Sequence, residues 1–547
     1  MTAADERSPL PGREAYLARR VLDALLREDY GNLAGRVSRD RTGVALTLPS
    51  GRRVRLVPGG LFQDFAVDPA DTPGLAEVLA ALEAVADPAD AAGVGAFAEE
   101  CRQALRALEA HDRDRERVLA HLADQGRLGP AGYDSLAAFL DHPVYPTARC
   151  RFGLSEAELR AYAPEFAPTF RLRWAAVPAD RVVRGPGRAE TEPWWPSFRD
   201  AGLPERLAAT HTLFPVHPLT AGTVREIPGV VVGATPYLPV RPTLSMRTVE
   251  VVASAGPPVH LKLPLVTSTL GLRNRRSIKP GTLHDGAAAE RMLRAIAARE
   301  RLPVELADEQ AFAHTGHEYL GWLLRRHPPG EIVTVAALPA PAPGPGRVID
   351  ELARRYHGGD AMALLREYLT VLLTWNVRLF VRYGVALEAH QQNLALVLGR
   401  GPLRLLIKDN DGLLVSPDAL AAAGVPVPEF RDERMLTDDP HALADVFVTI
   451  TLHLAAAAIA FDVAGARGVR LVREVLADAL DEYGGHPMAR LLRARTLDAA
   501  RLVGKSMVTA GTLVDKARTG ARDVNKYYGT SGPNYLRHPP AEPARHR

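Results

Sequence analysis

Cysteine is nearly absent: the 547 residues include two, Cys101 and Cys150, with no CxxC spacing. That count excludes a disulfide framework and a thiolate zinc site, and it points to a reducing compartment, the cytoplasm. Long apolar runs are missing too. The longest, Leu454 to Phe461, is too short to cross a bilayer, and the opening MTAADERSPLPGREAYLARR has no apolar core of signal-peptide length, so no membrane role is expected. Charge of one sign is also scarce. The 67 Lys and Arg against 64 Asp and Glu leave +3, and the basic residues are scattered rather than blocked, which removes nucleic acid as an expected partner. No internal repeat of solenoid or propeller length recurs, and neither a glycine-rich P-loop nor an HRD-like catalytic loop occurs.

What is present is an ordinary globular composition, 47% hydrophobic, long enough for two or three domains. The most informative stretch runs from Glu388 to Asp411, where EAHQQN precedes LALVLG and LRLLIKDNDG follows a turn. Gly399-Arg400-Gly401-Pro402 separates two short apolar runs and predicts a β-hairpin. A hairpin brings its outer ends together, so Glu388, His390, Gln392 and Asn393 meet Lys408, Asp409 and Asp411. Carboxylates with amide and imidazole neighbours are ligands that a hard cation such as Mg²⁺ takes together with nucleotide phosphates. An isolated DND triplet is more often a capped turn; the flanking EAHQQN shifts that balance.

In chain order, residues 14–30 read as a helix and Arg36 to Val57 as two strands around Pro49-Ser50-Gly51. Helical spacing runs from Leu75 to Leu122, broken at Asp87-Pro88, and places Cys101 as a packed thiol. Residues 1–138 form an N-terminal, mainly helical domain. Pro143 and Pro146 fix an extended loop from which His142, Tyr145, Arg149 and Arg151 project before a helix capped by Ser155, and paired guanidiniums suit carboxylate or phosphate oxygens. Residues 211–285 alternate like an antiparallel sheet; on it Ser245 and Arg247 share a face that Lys262 of a neighbouring strand can join. That β-rich unit spans 139–338. The run Pro339 to Gly346 reads as a linker or long surface loop at a domain boundary, and 347–547 as a third domain with a long helix Ala361–Tyr383 and mostly helices after His441, including the stretch that holds Lys505 and Ser506. The tail from Pro539 reads as disordered.

Several ordered motifs together carry a resemblance. DHPVYPTARCRFGLS, YAPEF, LFPVHPL, PTLSMRT, HLKLPLVTSTLGLRN, EAHQQN, KDNDG and GKSMV succeed one another between about residue 140 and 515. In that order they resemble the aerobactin-synthetase-type (IucA/IucC) family of siderophore synthetases, which work without a nonribosomal peptide synthetase template. The resemblance implies an α+β fold likened to a cupped hand, with a helical thumb, antiparallel β-rich fingers and a kinase-like palm. It implies a homodimer that uses ATP and Mg²⁺ to adenylate a di- or tricarboxylic acid and condense it with an amine, hydroxylamine or hydroxyl. Both carboxylate and triphosphate are anionic, so cations must stand between them.

Carried over by motif, Ser245, Arg247 and Thr248 match nucleotide-phosphate contacts, and Lys262 matches a cation near the carboxylate and α-phosphate. Thr267, Ser268 and Arg273 match the polycarboxylate pocket, with Arg273 as its clamp; His142 and Arg149 match the substrate loop, and Lys505 a second carboxylate contact. His390, Gln392 and Asn393 match the phosphate and metal environment, and Glu388 and Asp409 the magnesium ligands. Lys262, Arg273 and His390 are the catalytic candidates, with His390 as phosphate contact or, alternatively, proton acceptor. Departures stand at Tyr145, where the family has a second loop histidine, at Arg149 for lysine, Asp141 for glycine and Lys408 for arginine; they leave the acid open between citrate, a citrate derivative and a succinyl-type acid. A phosphotransferase and a non-catalytic binding protein are the competing classes.

Overall fold

The computed structural model describes residues 12–252, 256–520 and 527–540. Its first part follows from amphipathic spacing. The helix Arg13–Arg27 buries Leu17, Val21, Leu22 and Leu25 against the helices Leu75–Val85 and Ala91–Asp124, which are separated at Asp87-Pro88 as expected. The hairpin around Pro49-Ser50-Gly51 is present within a four-stranded meander that also takes in Val37–Asp40 and Phe65–Val67. Cys101 is fully buried, and Cys101 and Cys150 are free thiols.

The centre is a nine-stranded sheet whose hydrogen-bonded path runs through Val183–Arg184, Asp308–His314, Gly321–Arg326, Val259–Lys262, Thr248–Val251, Tyr237–Pro242, Phe170–Pro178 and His211–Val216. One face is apolar, because Val249, Val251, Val259, Leu261, Trp322 and Leu324 alternate onto it and join a core that contains Trp174 and Trp194. The other face is polar. Register sets Arg241, Glu250, His260 and Arg325 side by side across four strands, with Thr248 opposite Lys262 in the next row. A polar row packed this deeply does little for stability.

The predicted hairpin exists. Leu394–Leu398 pairs antiparallel with Arg404–Ile407, Leu394 opposite Ile407. Its sheet is completed by Glu331–Thr334 and, in parallel, by Val304–Leu306. Two of its four strands therefore precede residue 338, and the division drawn there cuts a sheet. The Pro339–Gly346 run is no linker either: Ala340 and Ala342 are buried, and the Val348 N–H returns to the Ala340 carbonyl at 2.9 Å. Alanines among those prolines give it an apolar side that the main core covers.

Three further expectations need correction. Thr243 to Thr248 is a turn, with Met246 at φ 63° and the Arg247 N–H on the Ser245 carbonyl at 2.7 Å, so Ser245 and Arg247 do not alternate along a strand. Leu263 to Asn274 leaves the sheet; past Lys262 it becomes a loop closed by an isolated bridge between Ser268 and Arg275. Arg501–Gly504, read within a helical stretch, is a strand that pairs with Thr530–Pro533. The helix Ala361–Arg378 continues as a π-helical turn Leu379–Tyr383 into the hairpin, with Leu365, Leu369, Leu372, Leu379 and Phe380 buried as the spacing required. The helical stretch Pro440–Asp481 contains an apolar window of mean hydropathy 2.0, but 89% of that window is buried inside the protein as a core helix. The reading of the tail from Pro539 falls mostly on 541–547, outside the described residues.

Candidate active site

The polar face of the large sheet meets the open end of the hairpin. Asp409 leaves the strand in a left-handed conformation, φ 63°, and this turns its carboxylate back onto Lys262, with which it forms an ion pair; Asp411 lies 3.4 Å from the same ammonium. Arg325 stands 3.9 Å from Asp409 and pairs with buried Glu309, whose carboxylate in turn accepts the Asp409 N–H at 3.0 and 3.2 Å. Burial opposes ionisation of Asp409, yet Lys262, Arg325 and Arg247 hold it well below the usual carboxylate range. Lys408, pointing the other way, is buried; desolvation lowers its pKa, partly countered by Asp134.

Glu388 reaches the same turn from the other strand's entrance. A side chain on Gly412 would collide with its carboxyl group, so the glycine makes room for Glu388 beside Asp411. Asn393 locks the approach: its Nδ2 donates to the Glu388 carbonyl at 3.2 Å, and its own backbone carbonyl accepts the Lys408 N–H at 3.1 Å. Among the described residues no group of three or more His, Cys, Asp or Glu could hold a metal ion. Glu388 and Asp409 therefore do not form an all-protein cage; they fit the mode in which Mg²⁺ takes one or two carboxylates and completes its shell with phosphates and water.

His390 and His142 are both poised as neutral donors. Burial chiefly brings His390 down to about 4 against the opposing pull of Asp409, and burial with His390 and Arg20 nearby brings His142 to about 3. In each ring Nδ1 accepts backbone N–H groups: Gln392 at 3.3 Å for His390, and Val144 and Tyr145 at 3.3 and 3.0 Å for His142. The remaining proton sits on Nε2, which suits hydrogen bonding to an anion rather than proton abstraction. Lys505 influences both rings electrostatically, so the C-terminal motif belongs to the same cleft.

The Ser245 hydroxyl accepts the Thr248 N–H at 3.1 Å and meets Thr243 at 3.3 Å, which shapes the turn that carries Arg247. Arg247 donates to the Ser277 carbonyl at 2.7 Å. Arg276 lies beside it: its Nη2 reaches the Ser245 carbonyl at 3.4 Å, while its buried Nε has no hydrogen-bond partner. Burial and Arg247 depress its pKa to about 9, and Asp409 and Asp411 oppose that shift. A guanidinium so placed calls for an anion. The Thr267 hydroxyl donates to the Phe152 carbonyl at 2.9 Å and the Ser268 carbonyl accepts the Phe152 N–H at 3.2 Å, so both tie the 263–276 loop to the His142 loop. Arg273 is half-buried at that loop's tip and reaches the Ala510 carbonyl at 3.4 Å.

Arg149 is placed differently from the expectation of a substrate contact. Its Nε pairs with Asp141 at 2.8 Å and its Nη1 with His111, so the guanidinium is committed inside the protein. The departures at 141 and 149 thus complement each other. Tyr145 is fully buried and donates to Glu100 at 2.8 Å, away from the cleft. Arg276, Arg325, Glu309 and Asp134 were not singled out from sequence. A charged residue at an inward position of the apolar strand WLLRR was the signal for Arg325; register supplies the rest.

Residues 133–340 match the family model described as IucA / IucC family, and residues 362–519 match one described as Ferric iron reductase FhuF-like transporter. The rhizobactin siderophore biosynthesis protein RhbC of Rhizobium meliloti is 27% identical over 344 residues, 55% of this chain and 57% of that protein. Aerobactin synthase of Escherichia coli is 25% identical over 62% of this chain and 67% of its own length, and the L-2,3-diaminopropanoate–citrate ligase of Staphylococcus aureus is 25% identical over 51% and 53%. The chain spans about half the length of most curated relatives it matches. In fold the likeness is nearly complete: the petrobactin biosynthesis protein AsbB of Bacillus anthracis superposes with a TM-score of 0.72 over 96% of each chain at 16% identity. ATP-bound aerobactin synthetase IucA of Klebsiella pneumoniae gives 0.67 over 95% of this chain and 99% of that one, at 17% identity. Motif order, the IucA / IucC family-model match over residues 133–340 and the shared fold agree in what this chain is similar to: the siderophore synthetases of that family.

Proposed function

We propose that this chain is an ATP-dependent, AMP-forming ligase of siderophore biosynthesis, which adenylates one carboxylate of a di- or tricarboxylic acid and passes the acyl group to an amine, hydroxylamine or hydroxyl. The observation that carries the reading is the cation surplus around Asp409. Among the described residues Lys262, Arg247, Arg276, Arg325 and Lys505 converge on Asp409, Asp411, Glu388 and Glu309, the last of these paired with Arg325, and the Arg276 Nε lacks an acceptor. A triphosphate supplies the missing negative charge. The ATP bound to the Klebsiella pneumoniae aerobactin synthetase IucA, a protein of the same fold, agrees with that.

In this reading the substrate carboxylate oxygen attacks the α-phosphorus, the bond to the bridging oxygen breaks, and pyrophosphate leaves. Arg247 and Arg276 take the phosphate oxygens, with His390 Nε2–H as a neutral donor, and Lys262 screens the carboxylate from the phosphate it attacks. Glu388 and Asp409 would hold Mg²⁺ with the phosphates, whose charge the ion lowers when bound. His142 Nε2–H, Arg273 and Lys505 orient the acid from the opposite wall. The amine then adds to the acyl carbon, AMP departs, and the amine proton is lost to water.

Pyrophosphate release with ATP and Mg²⁺ tests this, using hydroxylamine as nucleophile and a panel of citrate, succinate, α-ketoglutarate and their monoamides. A signal that depends on one carboxylic acid is expected. Silence across the panel with ATP binding intact would overturn the assignment of the acid, and failure to bind ATP the whole reading.

A further inference from the structure

Lys505 directly follows the strand Arg501–Gly504, and the chain on either side of it is tied to one remote segment. Val503 and Gly504 pair with Ser531 and Thr530 in the ladder that joins this strand to Thr530–Pro533, and the Ser506 N–H goes on to the Tyr527 carbonyl at 3.0 Å. Both chain neighbours of Lys505 are therefore fastened to 527–533. The approach is close: a Cβ on Gly504 would stand 2.9 Å from the Thr530 hydroxyl oxygen, and one on Gly529 3.1 Å from that of Ser506. Glycine on both sides lets the backbones meet at the lysine.

That segment is itself anchored in the core. Tyr535 and Leu536 are buried, and the Asn534 Nδ2 donates to the Thr496 and Ala499 carbonyls at 2.7 and 2.6 Å. Buried His453 joins the two partners. A carbonyl only accepts, so His453 Nε2–H donates to the Val503 carbonyl at 2.9 Å, and Nδ1 then accepts the Tyr535 hydroxyl at 2.7 Å. One imidazole thus holds both the strand that leads to Lys505 and the segment that returns to it.

On this base the Tyr528 ring faces the lysine. The Lys505 ammonium lies 5.9 Å from the ring centroid, within cation–π range. A lysine ends a flexible four-carbon stem, so a fixed backbone alone leaves its ammonium free to sweep. An aromatic face narrows that sweep, and it attracts a cation without cancelling its charge, as a carboxylate would.

We infer that Tyr528 is a positioning residue of the acid site: its ring, carried by the segment that His453 and Tyr535 anchor, holds the Lys505 ammonium where the substrate carboxylate is received. The inference rests on the ligase reading above, with Lys505 as a contact of the acid. It gives a reason for the late return of the chain to pair beside Lys505.

The test uses the full-length protein, ATP with Mg²⁺, and the acid identified by pyrophosphate release with hydroxylamine. Tyr528→Leu should raise the Michaelis constant for that acid about threefold to tenfold, the range of a cation–π contact, and leave the constant for ATP unchanged. Tyr528→Phe should behave as wild type. Because Tyr528 acts through Lys505, Tyr528→Leu should add nothing in a Lys505→Ala background, whereas a general loosening of the fold would raise the constant in both. Phenylalanines with one, two and three ring fluorines at position 528 keep the shape and weaken the negative face of the ring, so they replace Leu where it unfolds the chain; the acid constant should climb with each fluorine. A wild-type acid constant in Tyr528→Leu or in Lys505→Ala, an equal effect in both backgrounds, or no trend with fluorination would overturn the inference and leave the ligase reading standing. No acid-dependent pyrophosphate from the wild type would instead remove the ligase reading itself.

Discussion

Asp409 shows how much a single backbone angle decides. Few aspartates adopt φ 63°, and here the conformation points the carboxylate at Lys262, which is 3% exposed. Asp409→Asn therefore does more than remove a ligand: it leaves a buried ammonium with only Asp411 at 3.4 Å. We expect a loss of roughly 1–3 kcal/mol in urea unfolding together with at least a hundredfold fall in adenylation. Glu388→Gln, beside Gly412 at the rim, should cost as much activity with stability nearly unchanged. Wild-type turnover in both would remove the two carboxylates from the chemistry. Arg273→Ala at the loop tip should raise the Michaelis constant for the acid, whereas Arg276→Ala, whose buried Nε lacks an acceptor beside Arg247 and Asp409, should lower kcat and kcat/KM together. Identical profiles for the two would contradict the division of labour. Local motifs made Glu388, Asp409, Lys262 and Arg247 legible in the sequence. Arg276, Arg325 and Glu309 were not, since their approach to Asp409 depends on sheet register and on a loop path that no spacing encodes.

Among the elements, two buried glutamates of the N-terminal helices fasten the substrate loops. Glu100 accepts hydroxyls from Tyr145 at 2.8 Å and Thr147 at 2.6 Å on the His142 loop, and from Thr512 at 2.8 Å on the C-terminal segment. Glu28 accepts the N–H groups of Val508 and Thr509 at 3.0 and 2.8 Å. Glu100→Ala leaves three buried hydroxyls without their acceptor, which should cost roughly 2–4 kcal/mol and raise the constant for the carboxylic acid without altering ATP affinity. An unchanged acid constant in the folded variant would show that the loop holds its position without Glu100. The hairpin was readable because two apolar runs flank a strong turn signal. The strand Arg501–Gly504 was not, because its partner Thr530–Pro533 is remote in sequence and its own residues suit a helix as well. The loop after Lys262 misled for the opposite reason: β-branched residues serve there to pack against Phe152 and the 509–513 segment rather than to pair.

For the molecule as a whole, burial keeps histidines neutral. His111, His314, His390 and His453 are brought to about 4, and His142 and His217 to about 3, chiefly by desolvation. In the unfolded chain the same rings titrate near 6.5, so between pH 6.5 and 4 the unfolded state binds more protons. Their contribution is complete above 6.5 and is lost as the pH falls; at pH 6 each has given up about 0.8 kcal/mol relative to alkaline solution. Carboxyl groups that burial raises act in the opposite sense: Asp23 and Asp462, at about 6, and with them Glu28, Glu100, Asp134, Glu250, Asp285, Glu309 and Asp445. The share of one ring is therefore read by difference: His217→Gln should give a urea midpoint that falls less, or rises more, from pH 7.5 to 6 than that of the wild type, and the same slope in both would contradict the burial of that ring. The same continuity of core that buries them joins units the sequence separates: the 331–334 and 304–306 strands and the Pro339–Gly346 run belong to the sheet and core of the hairpin.

The most direct test of the central claim follows an oxygen atom. With the carboxylic acid labelled with ¹⁸O at its carboxylates, attack on the α-phosphorus must place one labelled oxygen in AMP, with unlabelled pyrophosphate as co-product. Labelled AMP from the wild type, abolished in Asp409→Asn, is the predicted result; ADP with phosphate, or AMP that carries no label, would contradict adenylation.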